Sequence, residues 1–187
     1  MRNREVIRDI ALRFGKTLDE HSKHMECFCL FGCEPGGWLK EEFLRFLDEL
    51  KTAKEIVNFN RDVSLGSGGN KADFCIEIGN GASSELNWVE VKLWMIGHQK
   101  VYEQSSPFYF GDSAAAGIKP DVEKLLSIER GGKFLLILSI ANPGGEWMEG
   151  VSRFNENFSP LCLVPLIMPE EVSTSHFPGL LEVMRAP

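Results

Sequence analysis

Ala72-Asp73-Phe74-Cys75-Ile76-Glu77-Ile78, followed by Trp88-Val89-Glu90-Val91-Lys92-Leu93-Trp94, decides how this chain is read. Both runs are short, apolar and rich in β-branched and aromatic residues, which predicts two strands. Gly79-Asn80-Gly81 lies between them, a hairpin signal that would lay the second strand antiparallel to the first. Strand alternation puts Glu90 and Lys92 on one face and Val89, Val91 and Leu93 on the other. The second face is wholly apolar and must point into a core, so the charged face looks outward or into a cleft.

The flanking sequence extends this pair into a mixed α/β domain. Trp38–Leu50 carries Leu39, Phe43, Phe46, Leu47 and Leu50 on one side, the strongest helical pattern in the chain. Residues 55–60 read as a strand and Leu65–Asn70 as a turn or flexible loop. Residues 97–118, rich in Gly, Ser and Ala, read as a long loop. Pro120 opens a helix that runs through Ile128 and stops at Gly131-Gly132. The unbroken apolar run Phe134–Ile140 predicts a fully buried strand, and Leu161–Ile167 an edge strand because of Pro165. Before all of these, residues 3–24 show helical spacing of Val6, Ile10, Leu12, Phe14 and Leu18, with a break expected near Gly15.

Length and composition fit one domain over 1–187. At 187 residues, 43% hydrophobic and 25% charged, the chain can bury a proper core. No apolar stretch approaches the roughly 20 residues of a membrane span, and the charged amphipathic N-terminus lacks a signal peptide's apolar core. A cytoplasmic protein without a membrane role is the expectation. The net charge of −7 argues against tight unaided binding of nucleic acid. The deficit is uneven: residues 141–187 hold two basic and six acidic side chains, so this part is not expected to face a polyanion.

Five cysteines, Cys27, Cys29, Cys33, Cys75 and Cys162, do not suit a disulfide framework. Cys75 and Cys162 lie in apolar runs and read as core residues. Cys27, Cys29 and Cys33, preceded by His21 and His24, lack the usual two-residue gap of a zinc site. They read as incidental thiols, with a metal-sensing cluster as the alternative.

Asp73 and Glu90, seventeen residues apart, would come close if the hairpin forms. Two such carboxylates repel, and a hard divalent cation relieves the repulsion. Mg²⁺, or Mn²⁺ in its place, suits oxygen ligands, polarises a phosphoryl oxygen and generates hydroxide near neutral pH. Lys92 would orient the attacking water or stabilise developing charge. The other reading is an ordinary solvent-facing strand with charged positions. Trp88 and Trp94 flanking the motif on the charged face favour a site, as does a Gly-rich loop ending in Lys71. On the helical wheel of residues 38–50, Glu42 borders the apolar face while Glu41 lies on the far side, so only Glu42 could reach a cleft beside the sheet. Gln99 and Lys100 are further phosphate contacts to consider, with Lys71. His98 reads as incidental. Tyr102, Phe108, Tyr109 and Phe110 read as loop packing, or alternatively as base-stacking groups.

Asp73 followed by Glu90-Val91-Lys92, on consecutive strands after a helix bearing Glu42, resembles the PD-(D/E)xK phosphodiesterase superfamily, whose fold is restriction-endonuclease-like. The resemblance covers about residues 37–140 in the order helix, three strands, helix, strand. It extends to Lys119–Leu125 and the strand after it, and leaves the N-terminal helix and C-terminal strand as additions. It implies a mixed central sheet flanked by helices, with an αβββαβ core. It further implies that Asp73 and Glu90 hold Mg²⁺, Lys92 is the catalytic lysine and Glu42 the acidic residue of the first core helix. Lys71-Ala72 replaces the proline that precedes the aspartate in the family. The function implied is a metal-dependent nuclease acting on DNA, in which cutting both strands at once needs a homodimer or two visits. The alternative is a weak or inactive nuclease-fold protein serving as a protein-binding or regulatory module through its acidic surface.

Overall fold

In the computed structural model, the described residues are 2–21, 23, 24, 27, 35–65, 70–79, 83–94, 109–111, 117–174 and 176–186. They form a mixed α/β structure with one six-stranded sheet. The helices among them are α1 (Arg2–Glu20), α2 (Gly36–Thr52), α3 (Lys119–Leu126) and α4 (Gly145–Asn157). The strands are β1 (Asn58–Ser64), β2 (Lys71–Ile78), β3 (Glu85–Trp94), β4 (Gly132–Ser139), β5 (Leu161–Pro165) and β6 (Phe177–Arg185). Their spatial order is β1-β2-β3-β4-β6-β5. The β3–β4 pair is parallel and every other pair antiparallel. None of the described helices is long and apolar enough to cross a membrane.

The two faces of the sheet are covered by different helices. Ile7, Ile10 and Ala11 of α1 and Phe43 of α2 meet Ile76, Val89, Leu136 and Leu180 on one face. Phe43 packs edge-on against Phe74 and Phe14, with centroids at 5.1 and 4.9 Å. On the opposite face, Trp147 of α4 packs against Phe177, and α3 lies beside β3 and β4. Hence Val89 and Val91 face α1 and α2, as alternation requires, while Glu90 and Lys92 face α3. Of the two dispositions open to the charged face of β3, the fold takes the cleft.

Several elements depart from the sequence expectations, each for a packing reason. Helix α1 runs through Gly15 without a break. A Cβ there would lie 2.6 Å from the Pro178 ring, so this glycine serves close approach of the helix to β6. Its buried face is Ile7, Ile10, Ala11, Phe14 and Leu18, with Leu12 only half-buried. Strand β1 begins at Asn58, three residues later than expected, and ends at Ser64. Its polar sequence becomes a strand because it completes the free edge of β2, not because of its own pattern. Helix α4 and strand β6 were not foreseen. Strand β6 enters between β4 and β5, which leaves β5 at the edge as Pro165 requires. Gly131, at φ 95°, lets the chain pass from α3 into β4 against the Leu86 carbonyl and the Trp88 ring, laying β4 parallel to β3.

Candidate active site

Backbone pairing between β2 and β3 runs from Ile78↔Glu85 to Phe74↔Val89 and stops. The next rung would place Asp73 opposite Glu90. There the strands part, and side chains replace the ladder: the Asp73 N–H donates to Glu90 Oε1 at 3.2 Å, and the Val91 N–H donates to Asp73 Oδ2 at 2.9 Å. On the other side of Asp73, β1 is also irregular. Asp62 sits between the pairs Arg61↔Phe74 and Val63↔Ala72 with φ 52°, a left-handed backbone uncommon for a non-glycine residue. Two neighbouring ladders thus open around one carboxylate, and local backbone irregularity of this kind collects at functional sites.

Three carboxylates and three lysines gather at this point. Lys40 Nζ of α2 lies 2.6 Å from Asp73 Oδ1. Lys124 Nζ of α3 lies 2.7 Å from Glu90 Oε2 and 3.4 Å from Asp121 Oδ1. Lys92 Nζ lies 2.9 Å from Asp121 Oδ2. Burial is graded across the group: the Glu90 side chain is 2% exposed and that of Lys92 35%. Beside Asp121 and Lys124 an open concavity of about 420 Å³ is lined also by Asn70, Pro120, Glu123 and Ser127.

Electrostatics follow from that burial. The Glu90 carboxyl is pushed up to about 7, first by loss of solvation and then by the nearby Asp73 charge, against the opposing pull of Lys124. Burial pulls Lys124 down, but its hydrogen bond to Glu90 and the charges of Glu90, Asp121 and Asp73 outweigh it, and its net shift is upward. The Glu90 shift makes a stability prediction. Below the ordinary carboxylate value, near 4.5, Glu90 is neutral folded and unfolded. As pH rises, the unfolded chain ionises first while the folded chain holds the proton to about 7, so stability falls across that window and levels above it. The loss amounts to about 3 kcal/mol. Denaturant titrations of the wild type and Glu90→Gln between pH 4 and 8 should diverge over this window, the variant lacking the decline.

Each expected site residue can now be placed. Asp73 and Glu90 are brought together and Lys92 lies at the same face. Glu42 is not brought to them: its carboxylate pairs with Arg45 at 3.1 Å on its own helix. The wheel placed Glu42 correctly at a border of the apolar face, but the strand opening lies under the other border, where Lys40 projects. The pattern of α2 alone does not say which border faces Asp73. Lys71 is exposed at the start of β2. His98, Gln99, Lys100, Tyr102, Phe108, Cys29 and Cys33 lie outside the described residues. Tyr109 and Phe110 are buried against Trp94, Tyr109 stacking at 5.5 Å, so these two serve packing. Trp94 itself is fully buried, while Trp88 is half-buried and donates its Nε1–H to the Arg130 carbonyl at 2.9 Å. Cys27 is exposed. Cys75 is buried, and its thiol is raised to about 11 by burial and the Glu77 charge, as suits a core residue.

Sequence reasoning passed over three members of the group, Lys40, Asp121 and Lys124. The signal for two of them was present: Asp121 and Lys124 stand three apart on a helix whose buried residues include Val122 and Leu125.

Whether the group suits a divalent ion turns on its donors. Among the described residues, no cluster of three or more His, Cys, Asp and Glu is arranged to hold a metal. Asp73 and Glu90 nevertheless supply two hard carboxylates, and the Asp73 charge raises the proton affinity of Glu90, a repulsion that a divalent cation relieves. The donor chemistry therefore fits Mg²⁺ or Mn²⁺, which Asp73 and Glu90 would hold; Lys40 and Lys124 pair with Asp73 Oδ1 and Glu90 Oε2.

No protein-family model matches this chain, and neither a curated protein nor a solved structure matches it.

Proposed function

We propose that this protein is a metal-dependent nuclease of the PD-(D/E)xK kind, hydrolysing phosphodiester bonds in DNA. The observation that carries this reading is the parting of β2 and β3 at Asp73 and Glu90. Two carboxylates are held face to face there by each other's strand, one of them buried and poised near neutrality. The succession α2, β1, β2, β3, α3, β4 supports it, since it follows the αβββαβ order of the restriction-endonuclease-like core.

Asp73 and Glu90 would hold Mg²⁺, or Mn²⁺, in this reading. The bound ion supplies polarisation of the phosphoryl oxygen and a hydroxide near neutral pH. The chain's residues do the rest. The Val91 N–H fixes one Asp73 oxygen, and the Asp73 N–H fixes one Glu90 oxygen, so neither carboxylate has to be ordered when substrate arrives. Lys92, the most exposed of the group on β3, reaches a phosphate lying across the opening and stabilises its developing negative charge. Lys71, exposed at the start of β2, would add a phosphate contact. With a net charge of −7, affinity for DNA rests on these few lysines and stays salt-sensitive.

Lys92→Ala tests the reading. It should remain folded, because its side chain is partly exposed and its partner Asp121 keeps Lys124 nearby, while plasmid nicking in Mg²⁺ falls by at least about 10²-fold. A wild type that binds neither Mg²⁺ nor Mn²⁺ and cuts neither DNA nor RNA would defeat the nuclease reading.

One observation favours a second reading. Each carboxylate of the group already has an ammonium partner, and a self-neutralised network of this kind suits a nuclease-fold protein acting as a binding or regulatory module for other proteins. That reading expects no cleavage and no metal uptake.

A further inference from the structure

Asp121 is the least expected member of the group. It is 7% exposed, it comes from the first turn of α3 rather than from the strand motif, and it stands between two ammonium groups. A buried carboxylate is costly unless charge or hydrogen bonds compensate it. Its Oδ2 lies 2.9 Å from Lys92 Nζ, yet no hydrogen bond of good angle reaches that oxygen from the described residues. Attraction between the two is thus one of charge without a directional bond. Lys92 carries its charge on a flexible four-carbon stem, and its position is not set by β3 alone.

We infer that Asp121 is the positioning residue for Lys92: its buried charge holds the ammonium over the Glu90 side of the strand opening while leaving it free to turn toward a phosphate. This rests on the nuclease reading above and extends it to a residue outside the strand motif. Asp121 also lies 3.4 Å from Lys124 of its own helix, and that lysine pairs with Glu90, so α3 is tied to β3 through both lysines. A single carboxylate thereby sets the direction of one lysine and supports the other against Glu90.

Asp121→Asn, Asp121→Glu, Lys92→Ala and the double variant Asp121→Asn/Lys92→Ala would be compared in single-turnover cleavage of duplex DNA. Mn²⁺ binding would be followed by calorimetry and folding by circular dichroism. Asp121→Asn should lower the cleavage rate about 10–100-fold, the range for a partner that orients a reactive group. The KM for DNA and the Mn²⁺ affinity should stay within about twofold of wild type, as for loss of an interaction made only in the transition state. Asp121→Glu, which keeps the charge, should recover part of the rate. The double variant should be no slower than Lys92→Ala, because Asp121 acts through Lys92. A purely structural ion pair would give Asp121→Asn wild-type cleavage, and that result overturns the assignment while leaving the nuclease reading intact. Loss of Mn²⁺ binding in Asp121→Asn makes it a ligand and also overturns it, as does a double variant slower than Lys92→Ala. Wild-type protein that cuts no DNA in Mg²⁺ or Mn²⁺ overturns both.

Discussion

On the proposed nuclease reading, Asp73→Asn is expected to leave the protein folded while DNA cutting in Mg²⁺ falls about 10²–10³-fold or more. The asparagine oxygen can still accept from the Val91 N–H, so the parting of β2 and β3 survives the change. What disappears is one of two charges that would hold the cation, together with the ion pair to Lys40. Lys40 is partly exposed, and its loss of a partner costs on the order of 1 kcal/mol or less. The variant also has a signature independent of cleavage. With the Asp73 charge gone, one of the causes that raise Glu90 is removed, and the Glu90 carboxyl should titrate lower. Carboxyl-region infrared or NMR titration of the metal-free protein reads this directly. Nicking at the wild-type rate by a folded Asp73→Asn would sink the proposed role of this residue.

Trp147→Ala will cost about 3–5 kcal/mol, the range for removing a large aromatic from a core. For a chain of this length the melting temperature should fall by about 6–20 °C. Trp147 is fully buried on α4 and stands between two other rings, Phe110 at 6.0 Å and Phe177 at 5.0 Å. Through Phe110 it reaches Trp94, at the end of the strand that carries Glu90 and Lys92. The ring also covers Gly179, where a Cβ would come within 2.4 Å of it. Its Nε1–H has no hydrogen-bond partner among the described residues, so Trp147→Phe removes an unsatisfied donor and should cost less than its loss of volume suggests. Thermal melts of the two variants rank them; equal melting temperatures for Trp147→Ala and wild type would show that the ring does not fill the core as described.

The strand motif was legible because it obeys local rules. Alternation in Trp88–Trp94 separates Val89 and Val91 from Glu90 and Lys92 whatever surrounds them, and the fold keeps that separation. The apolar face of α2 was legible for the same reason, since a 3.6-residue period leaves Leu39, Phe43, Phe46, Leu47 and Leu50 no other way to be buried together. Strand β6 was not. Its first residues, Phe177-Pro178-Gly179, carry two turn-forming types, and a strand in the middle of a sheet is an unusual place for them. Pro178 lies against Gly15 of α1 on one face, and Gly179 makes room for Trp147 on the other. Both choices answer to partners far away in the chain.

The membership of the charged group divides along the same line. Asp73, Glu90 and Lys92 belong to two strands joined by a short hairpin, and local sequence sufficed to place them together. Glu42 was expected and Lys40 found, because the two borders of an amphipathic helix are equivalent until the helix is docked on a particular strand. Asp121 and Lys124 come from a helix about thirty residues downstream. Their three-residue spacing beside Val122 and Leu125 puts them on one border of α3, but their pairing with Lys92 and Glu90 depends on α3 lying over the charged face of β3. The sequence alone determined the alternation of strands, the face of each helix and the pairing of two carboxylates. Tertiary packing decided which charges neutralise them, because a lysine's partner is set by the element its four-carbon stem is packed against and not by its neighbours along the chain.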